Sequence, residues 1–428
     1  MLKKSAYLIF IILFFSINVF AENEFHLLTV SGIIDAAIAD YIVKSIENAE
    51  KEGATGVIIQ MDTPGGLMKS MRTIIDKILV SKVAVITFVA PKGARAASAG
   101  TFILLASHIA AMAEGTNIGT ASPIDFTGNK ASEKITNDSI AYIKNLARLK
   151  NKNQQWAEDA IKKNVSSSEI EALKQNVIDI IAKDVDDLLN KINKKQIEID
   201  NKKIKINTEN YKIKKIEPSA KHKFLHSLTD PNISYILFLI GIYGIIYELA
   251  HPGAFLPGVV GAISLVLAFI GFDSIPINAA GIILIILSVI FFIAEAMTPT
   301  FGAWTIGGVI SLILGSLLLF PSRKIDSVWA PSYFIIFFMV ALTVIIIGII
   351  LVAIIKAHRK KVVVGKESLV GLKGVATTDI FDSGVANIGG EDWQAYSEEK
   401  ISARDIVEVI EVNGMKLKVK KVERKKEV

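Results

Sequence analysis

The sequence predicts three parts in one chain: an α/β domain, a multi-span α-helical membrane region and a small all-β barrel. Three observations predict them. Residues 25–187 alternate strand-like and helix-like segments, as α/β domains with largely parallel sheets do. Five apolar stretches follow between residues 233 and 355, and most reach the roughly 20 residues that span a bilayer. From residue 362 the chain consists of short β runs separated by turns.

The first 21 residues have the pattern of a secretory signal. Lys3 and Lys4 are basic, residues 6–15 are apolar, and a small-x-small sequence ends at Ala21. Cleavage is expected after Ala21. The alternative is that these residues form an anchor helix that is not cleaved. Whether the segment is cleaved or kept, we expect the domain that follows to be exported.

The composition excludes some kinds of site. The chain of 428 residues contains no cysteine, so a disulfide, a cysteine nucleophile and a thiolate metal site are excluded. The sequence also lacks zinc-type His/Glu pairing and a GxxxxGK[ST] phosphate loop, so we expect neither a metal nor a cofactor. Much of the net charge of +6 comes from lysines that flank apolar segments. We therefore interpret this charge first as a signal of membrane topology, and only second as a sign of nucleic-acid binding.

The α/β domain is assigned to residues 22–190. Its first helix is expected to end at Gly53, where a left-handed cap is favoured. Sites in such sheets form beyond the carboxyl ends of the strands. The predicted strands span 25–33, 56–61, 83–89 and 109–113, and the predicted helices span 35–51, 67–80, 133–149 and 154–163.

Ser98 is the strongest candidate for a catalytic residue. It follows an apolar strand and begins a predicted helix, while Gly65 and Gly66 follow the preceding strand. Both features therefore lie at the same edge of the predicted sheet. A hydroxyl beside a glycine turn offers a nucleophile and nearby backbone N–H donors, which acyl transfer requires. The simpler interpretation is structural: Ser98 caps the helix and the glycines permit a tight turn.

A serine nucleophile needs a base. A helix of roughly ten residues after Ser98 would place His108 about 15 Å away, so a Ser-His-Asp triad is not expected. A lysine can replace histidine when burial favours its neutral form. Lys134 opens a predicted helix with apolar residues behind it and is the candidate, although most lysines are solvated surface charges. Lys144 and Lys130 are the next candidates.

Residues 191–230 are rich in lysine and connect the α/β domain to the membrane region. Alternating apolar and polar residues over 196–214 predict a small β-ribbon. Residues 224–228 are expected to form an amphipathic approach to the membrane. A solvated linker is an equally good interpretation of the segment.

The membrane region is assigned to residues 231–356. With the α/β domain outside the cell, five spans place the C-terminus in the cytoplasm, and the basic run at 356–361 agrees with the positive-inside rule. We therefore expect a multi-pass protein of the cytoplasmic membrane, with an extracytoplasmic α/β domain and a cytoplasmic barrel. The predicted spans are 233–249, 254–272, 279–297, 304–320 and 333–355.

An internal repeat with a period of 47 residues runs through the membrane region. Glu248 and Pro252 recur as Glu295 and Pro299, so each unit is a helix, a reversal and a second helix. Intramembrane carboxylates are often functional, which raises transport as a hypothesis. The structural interpretation is stronger: each glutamate reaches the interface or satisfies backbone groups that the proline frees.

Residues 362–428 are expected to form an OB-like barrel. Asn413-Gly414 is a strong signal for a hairpin between the last two β runs. OB-like barrels can bind oligonucleotides, but few aromatic residues are available for base stacking, chiefly Trp393 and Tyr396. We therefore expect a protein-docking module and no nucleic-acid partner.

Three motifs resemble the long-form NfeD family. They are Asp-Thr-Pro-Gly-Gly at 62–66, Ala-Ala-Ser-Ala-Gly-Thr at 96–101, and Asn-Ile-Gly with Ser-Pro within 117–123. The resemblance covers essentially the whole chain, and it implies a ClpP/crotonase-like α/β domain and the activity of a membrane-bound serine protease. Asn176 stands where such folds often carry glycine, and asparagine tolerates the left-handed conformation.

The resemblance also implies roles for individual residues. The family's Ser–Lys dyad maps to Ser98 as nucleophile and Lys134 as general base, the latter within a segment that varies in length. Its oxyanion hole maps to the backbone N–H groups of Gly66 and Ala99, with Gly65 in the same turn. The implied substrate is a hydrophobic segment of a stomatin-like membrane protein, and ClpP-like folds imply a homodimer or a higher oligomer.

Two other functions stay open. A non-catalytic scaffold that organises membrane microdomains with a stomatin-like partner would not need Ser98. A signal-peptide peptidase of the Ser–Lys type is disfavoured, because that class has a simpler membrane anchor than five spans and a barrel.

Overall fold

The computed structural model describes residues 23–125, 129–200, 202–251, 253, 255–298, 300, 302–320, 329–359 and 369–422. The predicted signal at 1–21 and the repeat's Pro252 and Pro299 lie outside these ranges. The chain divides after Val344 into two compact units. The predicted fold class is confirmed: an α/β domain is followed by apolar helices and a closed five-stranded barrel.

The elements of the α/β domain alternate along the chain. Every predicted strand and helix is present, within two residues at each end. The strands are β1 (Glu24–Ser31), β2 (Gly56–Asp62), β3 (Ala84–Val89), β4 (Arg95–Ala97), β5 (Ile109–Met112), β6 (Asn117–Gly119), β7 (Ser166–Ser168), β8 (Ile180–Ile181), β9 (Gln196–Ile199), β10 (Lys202–Lys205) and β11 (Lys212–Ile216). The helices are α1 (Ala36–Glu52), α2 (Met68–Leu79), α3 (Ala99–Ala106), α4 (Glu133–Leu149), α5 (Gln154–Lys162), α6 (Glu169–Lys174) and α7 (Val185–Ile192).

The main sheet of this domain has six strands in the order β11-β1-β2-β3-β5-β8, and all neighbours run parallel. A smaller sheet has the order β4-β6-β7. Strand β11 extends the main sheet beyond residue 190, into the segment assigned to a ribbon and linker, while β9 and β10 form the predicted antiparallel ribbon. The predicted left-handed residues are confirmed, with φ of 69° at Gly53 and 55° at Asn176.

Apolar side chains cover both faces of the main sheet. On β2, Val57 and Ile59 belong to a core shared with helices α1 to α5, whereas Ile58 belongs to a second core shared with α7. Alternate side chains of a strand point to opposite faces. Burial on both faces explains why these strands are continuous apolar runs.

Helix α8 (Ala220–Ser227) follows the domain and precedes five apolar helices that match the predicted spans. These are α9 (Pro231–Ala250), α10 (Leu256–Phe272), α11 (Ala279–Met297), α12 (Ala303–Leu319) and α13 (Tyr333–Arg359). By length and composition, two described stretches are long and apolar enough to cross a membrane, Pro231–Leu249 and Ala279–Met297. The apolar stretches Leu256–Phe272, Ala303–Leu319 and Tyr333–Ile349 are shorter.

The two halves of the repeat are helix hairpins with close backbone contact. A Cβ on Gly244 of α9 would lie 2.8 Å from the Cα of Gly261 on α10. A Cβ on Gly281 of α11 would lie 2.4 Å from the Cα of Leu319 on α12. Small residues let helix backbones approach closely in a membrane, where packing drives association. These glycines therefore hold the hairpins together.

The C-terminal unit contains a closed barrel of five strands in the order β12-β13-β14-β16-β15. Its core is apolar, and Val407, Val409 and Leu417 are fully buried. The hairpin predicted at Asn413-Gly414 connects β15 to β16, with φ of 62° at Gly414. The strands are β12 (Lys373–Ala376), β13 (Gly384–Ile388), β14 (Glu391–Tyr396), β15 (Ile406–Asn413) and β16 (Lys416–Lys421).

Candidate active site

Ser98 occupies a sharp turn between a strand and a helix. Strand β4 ends at the residue before it, and helix α3 begins at the residue after it. Its φ of 50° and ψ of −116° are unusual for a residue with a side chain, and such backbone strain costs of order 1–3 kcal/mol and concentrates at functional sites. Its hydroxyl makes no capping hydrogen bond to α3. Ser98 therefore occupies the N-cap position of α3, but its side chain does not cap the helix, and the hydroxyl is left available for chemistry.

The glycine turn after β2 lies directly against Ser98. A Cβ on Gly65, whose φ is 122°, would lie 2.5 Å from the Cβ of Ser98 and 3.0 Å from its Oγ. A Cβ on Gly66 would lie 2.3 Å from the carbonyl oxygen of Ile34. The structure thus brings together the two features that the sequence places at one edge of the sheet, and neither glycine position has room for a side chain.

Thr63 joins the glycine turn to the strand before Ser98. Its backbone N–H donates to the carbonyl of Arg95 at 2.8 Å, and its carbonyl accepts from the N–H of Ala97 at 3.1 Å. Its hydroxyl donates to the carbonyl of Gly32 at 2.7 Å and accepts from the N–H of Gly65 at 3.0 Å. This buried threonine belongs to the motif at 62–66, but the sequence assigned it no role; in the structure it fixes the turn relative to Ser98.

Gly119 supports the turn from the other side. Its carbonyl accepts from the N–H of Ser98 at 3.2 Å and from the hydroxyl of Thr101 at 3.0 Å. A Cβ on Gly119 would lie 2.2 Å from the carbonyl oxygen of Val165. Gly119 belongs to the motif at 117–123 that the sequence analysis identified. In the structure, Gly119 holds the turn that contains Ser98.

Two backbone N–H groups beside Ser98 are free. In the described ranges, the N–H of Gly66 and the N–H of Ala99 donate to no acceptor. Ala99 is the first residue of α3, and the first N–H groups of a helix have no partner inside it. Unpaired N–H groups beside a nucleophile are suited to stabilise a developing oxyanion.

Lys134 lies in the first turn of α4, and its side chain is exposed. Within the described part of the chain, its ammonium makes no hydrogen bond or ion pair, and so none with the hydroxyl of Ser98. Lys130 is also exposed, and Lys144 forms an ion pair with Glu158 at 2.5 Å. No hydrogen bond therefore joins Ser98 to any of the three candidate lysines in the described residues.

Helix α4 is nevertheless fixed against the two helices that begin at the site. Phe102 of α3 stacks on Tyr142 of α4, with 6.1 Å between ring centroids. Arg72 of α2 forms an ion pair with Asp138 of α4 at 2.5 Å, and its guanidinium lies 4.4 Å from the Tyr142 ring centroid. Asp138 is one helical turn after Lys134, so these contacts set the position of the Lys134 turn.

The geometry of His108 does not suit a base for Ser98. The Nδ1 of His108 accepts from the N–H of Val85 at 3.1 Å, at the start of β3 and therefore at the opposite edge of the sheet. Burial lowers the pKa of His108 to about 3. The prediction that His108 cannot serve Ser98 is consistent with this geometry.

One cluster has the spacing of metal ligands in the described residues: Glu24, His26 and Glu52, with ligand atoms within 4.8 Å of one another. Glu24 begins β1, so the cluster lies at the sheet edge opposite Ser98. The ammonium of Lys214 lies 2.5 Å from Glu52 and supplies a positive charge there. We assign no metal to it.

Glu295 of the repeat is a buried backbone acceptor. Its carboxylate accepts from the N–H groups of Thr300 and Gly302, at 3.0 and 3.1 Å, and from those of Trp304 and Thr305, at 3.1 and 3.3 Å. The hydroxyl of Thr300 donates to it as well. For Glu295 this supports the structural interpretation over transport, because the carboxylate is used to build the start of α12.

Three family models match the chain in succession. Residues 24–212 match "NfeD1b, N-terminal domain". Residues 232–356 match "NfeD integral membrane domain", and residues 366–421 match "NfeD-like C-terminal, partner-binding domain".

Two relatives match along 95% of both chains. The membrane-bound protease PH1510 of Pyrococcus horikoshii is 38% identical over 424 residues, and the membrane protein NfeD1b of Bacillus subtilis is 27% identical over 440 residues. Among solved structures, a lysine-to-alanine mutant of the 1510-N membrane-bound stomatin-specific protease with a substrate peptide is 39% identical. It covers 49% of this chain and 98% of its own, with a TM-score of 0.47. The 1510-N membrane protease specific for a stomatin homolog from Pyrococcus horikoshii is 38% identical, covers 49% of this chain and 100% of its own, and has a TM-score of 0.44.

Proposed function

Since the chain belongs to the NfeD family and is a membrane-bound protease, as its relative in Pyrococcus horikoshii is, we propose that it hydrolyses hydrophobic segments of stomatin-like membrane proteins with Ser98 and Lys134. The observation that carries the proposal is the group formed by Ser98, the glycine turn and two free backbone N–H donors. The strained turn presents a hydroxyl that no capping bond occupies.

In the proposed reaction the Oγ of Ser98 attacks the peptide carbonyl and forms the acyl-enzyme, and the N–H groups of Gly66 and Ala99 bind the oxyanion. Lys134 accepts the hydroxyl proton and then donates it to the leaving amine; water attacks the acyl-enzyme in the second half. Gly65 keeps the turn against Ser98 because no Cβ intervenes.

Lys134 needs a drier environment than its exposed position provides. Its side chain is exposed, and a lysine acts as a base when desolvation disfavours its ammonium form. A hydrophobic substrate segment laid over the first turn of α4 would supply that desolvation. Ile135 lies in this turn and Ile124 precedes it in sequence; their apolar side chains are 42% and 39% exposed and suit such a segment.

The partner and the topology belong to the same proposal. The Pyrococcus protease is specific for a stomatin homolog, which suggests a stomatin-like substrate here. The match of residues 366–421 to a partner-binding domain favours a barrel that docks that protein. We propose that the α/β domain is extracytoplasmic, that the barrel is cytoplasmic, and that the protein acts as a homodimer or a higher oligomer.

The test is cleavage of apolar peptides, including C-terminal segments of a stomatin-like protein, by the full chain in lipid nanodiscs. Ser98→Ala and Lys134→Ala are each expected to lower kcat by about 10³-fold or more, with the fold retained. Lys130→Ala and Lys144→Ala are the matched controls and are expected to keep activity. Loss in Ser98→Ala alone would remove Lys134 from the mechanism, and the absence of cleavage by folded wild type would favour the scaffold.

A further inference from the structure

Helix α8 connects the α/β domain to the first apolar helix and carries two histidines on one face. His222 and His226 are four residues apart, so they lie on the same side of α8. The Nδ1 of His226 is 2.5 Å from the carboxylate of Asp35, and its Nε2 is 3.2 Å from the carbonyl oxygen of Ser31. His222 instead pairs with Asp40, at 2.9 Å.

Asp35 is buried and depends on these partners. Its side chain is 2% exposed, and one oxygen caps α1 by accepting from the N–H of Ile38 at 2.7 Å. The other oxygen faces His226 and accepts from the hydroxyl of Thr229 at 3.2 Å. Removal of one partner of a buried charge leaves that charge uncompensated, which is strongly unfavourable. The position of Asp35 therefore depends on His226.

Asp35 directly follows the segment that holds the glycine turn. The N–H of Ile34 donates to the carbonyl of Gly65 at 2.8 Å, and the carbonyl of Ile34 accepts from the N–H of Leu67 at 3.0 Å. These two bonds flank Gly66 on both sides. Because Ile34 sets the peptide planes before and after Gly66, it sets the direction of the free Gly66 N–H.

The membrane side of the connection is packed as well. The carbonyl of Leu228 accepts from the hydroxyl of Ser234 on α9. A Cβ on Gly271, near the end of α10, would lie 2.1 Å from the same carbonyl oxygen. The segment between α8 and α9 is therefore held between two apolar helices and the carboxylate of Asp35.

We propose that the His226–Asp35 pair is a positioning contact through which the membrane region holds the Gly66 N–H in place beside Ser98. This inference rests on the proposed function. His226 does not touch the reacting atoms; it acts through Asp35 and Ile34 on the turn. The consequence is that the site is fully assembled only when α8 is docked, so the state of the membrane helices regulates proteolysis.

The experiment compares His226→Ala with the matched control His222→Ala in the full chain in nanodiscs. A donor that stabilises only the transition state affects kcat, so His226→Ala is expected to lower kcat by about tenfold or more while KM stays within about twofold. His222→Ala removes a pair whose carboxylate does not adjoin Ile34, and it is expected to leave both parameters within about twofold. His226→Asn keeps a donor for Asp35 and is expected to restore part of the lost kcat.

Hydrogen exchange at the Ile34 and Leu67 amides provides a readout that does not need proteolysis. His226→Ala should speed both amides, and His222→Ala should leave them unchanged. Three outcomes would overturn the positioning contact. The two variants could have equal effects, or His226→Ala could raise KM alone. His226→Ala could also leave both kcat and the exchange rates unchanged. If wild type fails to cleave, the proposed function fails and the exchange rates alone decide this inference.

Discussion

The side chain of Ser98 occupies the space in which a side chain of residue 65 would lie, so Ser98 packs directly against the backbone of Gly65. A Cβ on Gly65 would overlap the Cβ of Ser98, at 2.5 Å, and crowd its Oγ, at 3.0 Å. The φ of Gly65, 122°, is also a value that side chains rarely allow. The distance between Ser98 and the glycine turn is therefore set by direct contact between the Gly65 backbone and the Ser98 side chain.

Gly65→Ala is predicted to lower kcat by about 10²-fold or more, because the turn must move away from Ser98 and carry Gly66 with it. Strain and overlap are expected to cost about 1–3 kcal/mol in unfolding free energy. Gly53→Ala is the matched control: φ is 69° and nothing lies within 4 Å of the new Cβ. It should cost about 1 kcal/mol of stability and no activity. Full activity in Gly65→Ala would show that the turn is not part of the site.

The local parts of the site could be predicted from the sequence. Apolar runs that end in Gly65-Gly66 or lead to Ser98 define strand ends, and parallel strands place their carboxyl ends together. The start of α4 was predicted at residue 133, where the structure has it. What the sequence pattern could not supply is the distance between Ser98 and Lys134, because that depends on how α4 packs on α2 and α3.

Contacts between distant parts of the chain leave no periodic signal. Strand β11 pairs with β1, so that Glu24 lies beside Lys212, although residues 191–230 are a lysine-rich stretch with weak alternation. The pair between Asp35 and His226 joins residues 191 positions apart. Each depends on tertiary packing, which overrides local composition.

The ion pair between Arg72 and Asp138 is predicted to matter for catalysis more than for stability. Exposed pairs of this kind contribute about 0–1 kcal/mol, but this one joins the helix that begins after Gly66 to the helix that carries Lys134. Arg72→Ala and Asp138→Ala should each lower kcat by about tenfold and change the free energy of unfolding by less than about 1.5 kcal/mol. The double variant should be no worse than Arg72→Ala, because Arg72→Ala already removes the ion pair as well as the contact with the Tyr142 ring.

Arg148→Ala is the matched control for that pair. Arg148 also lies on α4, but it bonds within its own helix, to Asn145 at 2.8 Å. Its activity should equal that of wild type in the same peptide assay. Additive losses in the double variant would contradict the prediction that the ion pair positions α4.

Glu295→Ala is predicted to destabilise the hairpin of α11 and α12. The carboxylate accepts from four backbone N–H groups and one hydroxyl while only 3% exposed. A donor that loses its acceptor costs about 1–3 kcal/mol when it stays buried. These five hydrogen bonds are only part-buried, so water replaces some of them, and the variant should lose about 2–4 kcal/mol in unfolding in detergent. Asp273→Ala is the control, an exposed carboxylate after α10 with no side-chain hydrogen bond in the described residues. Unchanged stability in Glu295→Ala would revive the transport hypothesis.

The docking of α8 is predicted to weaken as the pH rises. The hydrogen bond to Asp35 raises the pKa of His226 above its ordinary value, and the carbonyl of Ser31 and the charge of Asp230 act in the same direction, while burial opposes them. A group whose pKa is raised in the folded state stabilises that state fully below its unfolded pKa, about 6.5 for histidine. The stabilisation is then lost as the pH rises through the raised value.

Hydrogen exchange of residues 220–230, corrected for the intrinsic pH dependence of exchange, measures this loss. Wild type should be most protected below about pH 6.5 and lose protection progressively above it. In His226→Ala the protection should be lower throughout and depend less on pH over the same interval, since the titrating partner of Asp35 is gone while the pair of His222 with Asp40 remains. His222→Ala should keep the wild-type profile, because the contact of His226 with Asp35 remains. A wild-type profile that stays flat from pH 6 to about 9 would contradict a stabilising imidazolium at this joint.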